Sequence, residues 1–421
     1  MKEISQNLGR GIDFISISEP KFRTNTLMVT LMMPVIPARN SAYALAQALL
    51  TQSCRAYPDN AAMSVKLDRM YGASLNSSIS IDGAVTQIFL SGSVIANRYA
   101  LEGEDLLGEM TDLLLDCLFE PNVRNGAFDA GEFRIQRKEL LDAIEAEINN
   151  KRSYALVRAR ETAFRGEPDA YPIYGTKEDV EQLTPENVFA AYQEILRRAV
   201  IRIYYVGPED AGGLSGKLFE AFGKLNDRAP EALPYECPSP VKAKTARVTE
   251  PMEVTQSKLV IAFKAEHPGR EAFRLFSAML GGTPFSMLFM NVREKLSLCY
   301  YCASRVIPGK DTLFIDSGVE FSNAEKAHEA ILAQIEAIRN GDFPDELLEN
   351  AKHSMLNALY GIGDTPFSCI SEAHTRFCTQ DDAGVEERAA RYLSLTREDI
   401  IGVAKSLRED TVYLMQQGGT Q

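Results

Sequence analysis

The chain has 421 residues, 45% hydrophobic and 24% charged, with a formal net charge of −13 and a pI near 5.0. That length suits two domains with a sizeable core, and the acidic balance excludes nucleic acid, which needs clustered Lys and Arg. Seven scattered cysteines, an odd number, exclude a disulfide framework.

Residues 1–23 lack the apolar segment of a signal peptide. The first apolar run, 27–38, is broken by Pro34 and Pro37 and is too short to span a bilayer. A reducing cytoplasm and no membrane association are therefore expected. Residues 26–33 read as a strand, 43–51 as an apolar helix, and 67–76 as a helix running into an extended segment; a further strand is expected near 85–91. Leu106, Leu107, Met110, Leu113, Leu114 and Cys117 fall at helical spacing, and a long charged amphipathic helix covers 133–150. Thr184 is a natural N-cap for a helix that leads into an apolar strand at 200–206. Residues 226–251 carry Pro230, Pro234, Pro238, Pro240 and Pro251 and read as a linker.

Beyond the linker the same order returns. Residues 258–263 repeat the first strand, 272–280 the first helix, 292–301 the helix-to-extended segment, and 312–319 the closing strand. Helical patterns at 327–338 and 345–359 follow, and Thr396 caps a helix leading to a strand at 411–415. An internal repeat of such long period means two copies of one domain. The fold expected is α+β: residues 1–225 and 252–421 as homologous domains, each a mixed, mostly antiparallel sheet with helices over one face, joined by 226–251.

Cys299 and Cys302 form a C-x-x-C inside an apolar strand-like run. Regular alternation would point the thiols to opposite faces, as small buried hydrophobes.

The second half carries Leu280, Gly281, Gly282, then Arg293, Glu294, Lys295, then Leu298, Cys299, Tyr300. This resembles the C-terminal signature of the pitrilysin/insulinase family of zinc peptidases, which includes mitochondrial processing peptidase: a Leu-Gly-Gly turn, an Arg-Glu-Lys helix end, and Leu-Ala-Tyr. The duplication is likewise that family's architecture, of two LuxS/MPP-like domains. In active members the first half carries H-x-x-E-H on a helix. Histidines at i and i+4 share one helical face and can grip zinc, and the Glu takes a proton from the metal-bound water. Alignment on Tyr57-Pro58 sets Ala44 and Ala48 on the two histidines and Gln47 on the general base, with Ala143 at the third ligand and Glu139, Glu145 and Glu147 nearby. The four histidines, His267, His328, His353 and His374, all lie in the second half, and none is spaced four from another. They read as surface or capping residues. No metal is expected in this chain; zinc would belong to a partner.

By the same resemblance, Arg293 and Tyr300 hold substrate and stabilise charge at a scissile carbonyl, and Gly281-Gly282 turn near the substrate path. A guanidinium fork and a phenol can both donate to an oxyanion. Against this stand plain structural roles: an ion pair for Arg293, sheet packing for Tyr300, a helix end for the glycines. The leading expectation is a non-catalytic subunit that pairs with a zinc-bearing homologue to process peptides, with a homodimer open for the isolated chain. The alternative is a structural or binding module of the same fold. No G-x-S-x-G elbow, phosphate loop or Cys–His pair suggests an independent enzyme.

Overall fold

The computed structural model describes residues 2–225 and 227–418, apart from the side chain of Asp169. The strands are β1 Lys2–Gly9, β2 Ile12–Ser18, β3 Thr24–Pro34, β4 Ser74–Asp82, β5 Val85–Ile95, β6 Val123–Arg124, β7 Ala127–Phe128, β8 Val200–Gly207, β9 Ala246–Met252, β10 Ser257–Lys264, β11 Cys299–Ile307, β12 Thr312–Val319 and β13 Arg408–Gln417. β6 and β7 form a short ribbon of their own.

Six strands make the first sheet in the order β1-β2-β8-β3-β5-β4, and five make the second in the order β11-β12-β10-β13-β9. Read outward from opposite edges, β2-β8-β3-β5-β4 and β9-β13-β10-β12-β11 are the same arrangement. In each, the only parallel pairing among the described residues is the equivalent one, β2 with β8 and β9 with β13. The duplication expected from the sequence is thus repeated strand for strand, with β1 as an addition, and the α+β class holds.

The first sheet is buried on both faces. Leu27, Val29, Leu31 and Met33 of β3 join a core with the helix Asn40–Leu49, the helix Leu106–Phe119 and the helix Pro185–Arg198. Successive side chains of a strand point oppositely, and Met28 enters a second core with Ile15, Ile17, Tyr204 and Val206. That core is closed by Cys369, Ile370 and Ala373 of the helix Pro366–Thr379. The second sheet is covered in the same way. Val260, Ala262, Phe314, Tyr413 and Met415 pack on the helix Lys151–Ala163. Its contact residues Ala155, Ala159 and Ala163 recur every four positions, and their small side chains let the helix lie close to the strands.

Two sequence expectations therefore change. Helices lie on both faces of each sheet, because the continuous apolar runs of the central strands leave no face suited to water. The compact units also do not divide as 1–225 and 252–421. One comprises Met1–Glu145, Tyr171–Pro234 and Ile362–Gln380; the other comprises Ala146–Ala170, Tyr235–Gly361 and Asp381 onward. Each half of the chain gives one helix to the unit built mainly by the other half. The proline-rich stretch is also not all linker: residues 246–252 are β9, an edge strand, where Pro251 is tolerated.

Candidate functional site

The helix Asn40–Leu49 carries the degenerate motif. Its residues are almost wholly buried, Ala44 being 3% exposed and Gln47 8%. The entry to the helix is pinned by Asn40 Nδ2, which donates to the Pro172 carbonyl at 2.8 Å. Gly175, at φ 70°, passes so near Ser41 that a Cβ there would lie 1.8 Å from Oγ, so this loop accepts only glycine.

Ala44 and Ala48 sit one turn apart and offer no donor atom. The Gln47 side-chain amide donates to Ser77 Oγ on β4, and Ser77 Oγ also lies 3.0 Å from Thr51 Oγ1 and donates to the Gln47 carbonyl at 3.2 Å. Ala143 is exposed on the helix Ala130–Ala146. Of the nearby carboxylates, Glu139 accepts from Gln136 at 2.9 Å and Glu145 from Lys177 at 2.6 Å. Burial and the Glu161 charge raise the pKa of Glu147. Among the described residues no three His, Cys, Asp or Glu side chains are grouped to hold a metal. A zinc ion does not fit this set: the three ligand positions, Ala44, Ala48 and Ala143, carry only methyl groups, and Gln47 at the general-base position is hydrogen-bonded into the sheet.

The residues expected to bind substrate gather around β11. Gly281 lies in the last turn of a π-helical stretch, Ala278–Gly282, and a Cβ there would stand 2.7 Å from the Ser304 backbone nitrogen and 2.8 Å from Leu288. Gly281 is therefore a packing glycine between helix and strand; Gly282 beside it is exposed. Arg293 lies on a second π-helical stretch, Leu288–Lys295. Its guanidinium lies 4.6 Å from the Phe289 ring and 3.4 Å from Glu294, with the side chain 39% exposed. π-Helical turns are uncommon and often mark functional sites. Tyr300 is 52% exposed, and its hydroxyl donates to Glu320, whose charge raises the phenol pKa.

Register explains the exposure of Tyr300. On β11, Cys299 pairs with Val319 and Tyr301 with Gly318, so Tyr300 is the extra residue of a β-bulge. The bulge also overturns the expectation for the C-x-x-C. One inserted residue restores Cys299 and Cys302 to one side, where both are buried.

His267 and His353 are exposed, as a surface reading expects, but the other two histidines are not surface residues. His328 is 3% exposed and its Nε2 lies 2.6 Å from Glu409. His374, on the helix Pro366–Thr379, meets Tyr204 OH through Nδ1 at 3.2 Å and the Gln87 amide oxygen through Nε2 at 2.5 Å. The Gln87 amide nitrogen donates to Asp82 at 2.9 Å, which turns its oxygen toward the ring and places the imidazole proton on Nε2. Cys378 Sγ stands 3.4 Å from the same Nε2. The chain thus has a Cys–His pair that motif matching missed; the signal was two residues four apart in a helical pattern. Burial, then the Arg202 charge, push the His374 pKa down to about 4.

Comparison with known proteins fits this picture. Residues 182–355 match the family described as "Peptidase M16 inactive domain". A protein of Bacillus subtilis (strain 168) named "Probable inactive metalloprotease YmfF" is 26% identical over 95% of this chain and 94% of its own. A second from that organism, "Uncharacterized zinc protease YmxG", is 22% identical over 59% of each chain. Among solved structures, a conserved protein from Enterococcus faecalis V583 superposes with a TM-score of 0.89 at 24% identity, covering 100% of this chain and 99% of that one. A peptidase M16 inactive domain from Pseudomonas fluorescens gives 0.82 at 14% identity, with 100% of both chains covered. With its duplicated sheets and with Ala44, Gln47 and Ala48 at the zinc-motif positions, the chain is thus similar along nearly its whole length to a probable inactive metalloprotease, and it shares the fold of a peptidase M16 inactive domain.

Proposed function

We propose that this chain is the non-catalytic partner of a zinc-bearing homologue and that the pair processes peptides in the cytoplasm. The observation that carries the reading is an asymmetry between the two sheets' sites. Ala44 and Gln47 are buried under the first sheet and the half-buried Ala48 beside them offers no polar atom, whereas Arg293 and Tyr300 keep polar groups at the surface beside β11. In this reading the chain takes no metal of its own. Arg293 and Tyr300 hold the peptide and donate to the charge that develops on its carbonyl, while the partner supplies the activated water. The two Bacillus subtilis relatives, one named inactive and one named a zinc protease, support such a division of labour.

The test is peptide cleavage by the purified chain, by a zinc-bearing homologue from the same genome, and by their mixture. The mixture is expected to cleave and this chain alone to be inert. Arg293→Ala is expected to lower kcat/KM of the mixture about 100-fold, the scale of losing one oxyanion donor, with Tyr300→Phe acting in the same direction. Unchanged turnover in both variants would sink the shared site. Absence of any association would leave a binding module of the same fold.

A further inference from the structure

Among the described residues two pairs of buried cysteines lie near each other, Cys299 with Cys302 and Cys54 with Cys117, and they differ in what they can do. Cys299 and Cys302 sit on one strand with side chains running parallel. Same-side strand neighbours stand about 7 Å apart at Cα, at the outer limit of disulfide geometry. Cys54 and Cys117 instead come from different elements. Cys117 lies near the end of the helix Leu106–Phe119. Cys54 lies in the turn after the helix Asn40–Leu49 and forms an isolated antiparallel bridge with Pro121. The turn is fastened on both sides of Cys54: Arg55 N donates to Glu120 O at 2.8 Å, and Asn122 Nδ2 to Pro58 O at 3.0 Å. Within it, Cys54 and Tyr57 exchange backbone bonds at 2.9 and 3.1 Å. Both residues are 0% exposed and share a small core with Met63 and Leu113.

We propose that Cys54 and Cys117 are a reversible oxidation site that closes as an intramolecular disulfide under a hydroperoxide. The pairing favours Cys54 as the attacking sulfur: the Cys117 thiol donates to it and lowers its pKa, while Cys117 is correspondingly raised. The Cys54 thiolate attacks a peroxide oxygen; the O–O bond breaks, one water leaves, and a sulfenic acid forms. Cys117 then attacks the Cys54 sulfur. The S–S bond forms, the S–O bond breaks, and the Cys117 proton leaves with the departing hydroxide as a second water. Two thiols and one hydrogen peroxide thus give one disulfide and two waters. Cys54 is buried while the next two residues of the turn, Arg55 and Ala56, are exposed, so local opening of the turn sets the rate. The cross-link would join the turn after the degenerate-motif helix covalently to its neighbouring helix and close a long loop, which raises stability.

The wild-type chain is treated with hydrogen peroxide, remaining thiols are blocked with N-ethylmaleimide under denaturing conditions, and peptides are mapped by mass spectrometry. The expected product links the Cys54 and Cys117 peptides, runs about 2 Da below the reduced pair, and vanishes with dithiothreitol. The oxidised protein should melt at a higher temperature, and Cys117→Ser should abolish that rise. Recovery of Cys54 and Cys117 as separate maleimide adducts, or as separate sulfinic acids, while the half-buried Cys237 and Cys378 are consumed, would overturn the proposal.

Discussion

At the scale of single residues, two side chains show how environment overrides residue type. His374 is held neutral because its ring is buried, already engaged at both nitrogens, and near the Arg202 guanidinium. Its pKa is about 4 in the folded chain, against roughly 6.5 when unfolded. Above pH 6.5 neither state is protonated there, and full stability is present. As pH falls through the window from 6.5 to 4, the unfolded chain binds a proton that the folded chain refuses, so stability is lost. The loss from this site approaches about 3 kcal/mol at the lower end. His374→Gln is expected to flatten the pH dependence of urea unfolding between pH 7 and 4.5; an unchanged slope would show that other groups govern it. Tyr300 teaches a related lesson. The alternation rule placed the two thiols of the C-x-x-C on opposite faces, and a single bulged residue reversed that. Nothing in the local sequence announces the bulge, because it is set by register against β12.

At the scale of elements, most of the fold was readable from the chain. The strands at 258–263 and 312–319 and the helices at 106–117 and 345–359 lie within or next to the observed elements. Thr184 and Thr396 each cap a helix with a reciprocal capping box. These features are local, so pattern and propensity suffice. The helix Lys151–Ala163 was not foreseen as a separate element, because its docking depends on distant groups. Its C-terminal carbonyl, Ala163 O, accepts from Lys242 at 2.7 Å and from Lys264 at 3.0 Å. Both lysines also face Asp410, which is 0% exposed, at 2.6 and 3.3 Å. These cations meet the negative end of the helix dipole, and Asp410 balances their charge. Asp410→Ala strands two cations, one of them fully buried, and is expected to cost about 3–5 kcal/mol by chemical denaturation. A cost below about 1 kcal/mol would mean that the backbone carbonyls alone satisfy them. The candidate site divides in the same way. The vacated histidine positions could be read directly, while the partners Ser77 for Gln47 and Glu320 for Tyr300 required the sheets to be assembled.

At the scale of the whole molecule, the repeat was legible but the exchange of helices was not. Duplication leaves a signal in sequence order, whereas the exchange is a choice of packing partner. It yields a direct expectation for dissection. A fragment of residues 1–225 lacks the helix Pro366–Thr379 and so uncovers Ile15, Ile17, Met28, Tyr204 and Val206 together. Such a contiguous apolar patch promotes aggregation. The fragment is expected to be insoluble when expressed alone and to be recovered when residues 226–421 are co-expressed, as judged by size-exclusion chromatography. A stable, monomeric 1–225 would contradict the packing described here.

The exchanged helix also imposes a timetable on birth at the ribosome. β8, the last strand of the first sheet, ends at Gly207, and the helix that seals the sheet's far side begins only at Pro366. At roughly 5–20 residues per second, the nascent chain carries a bare oily surface for about 10–30 s before its own cover is synthesised. That interval is long enough for chaperones to engage the surface, and slower translation would lengthen the exposure rather than assist folding.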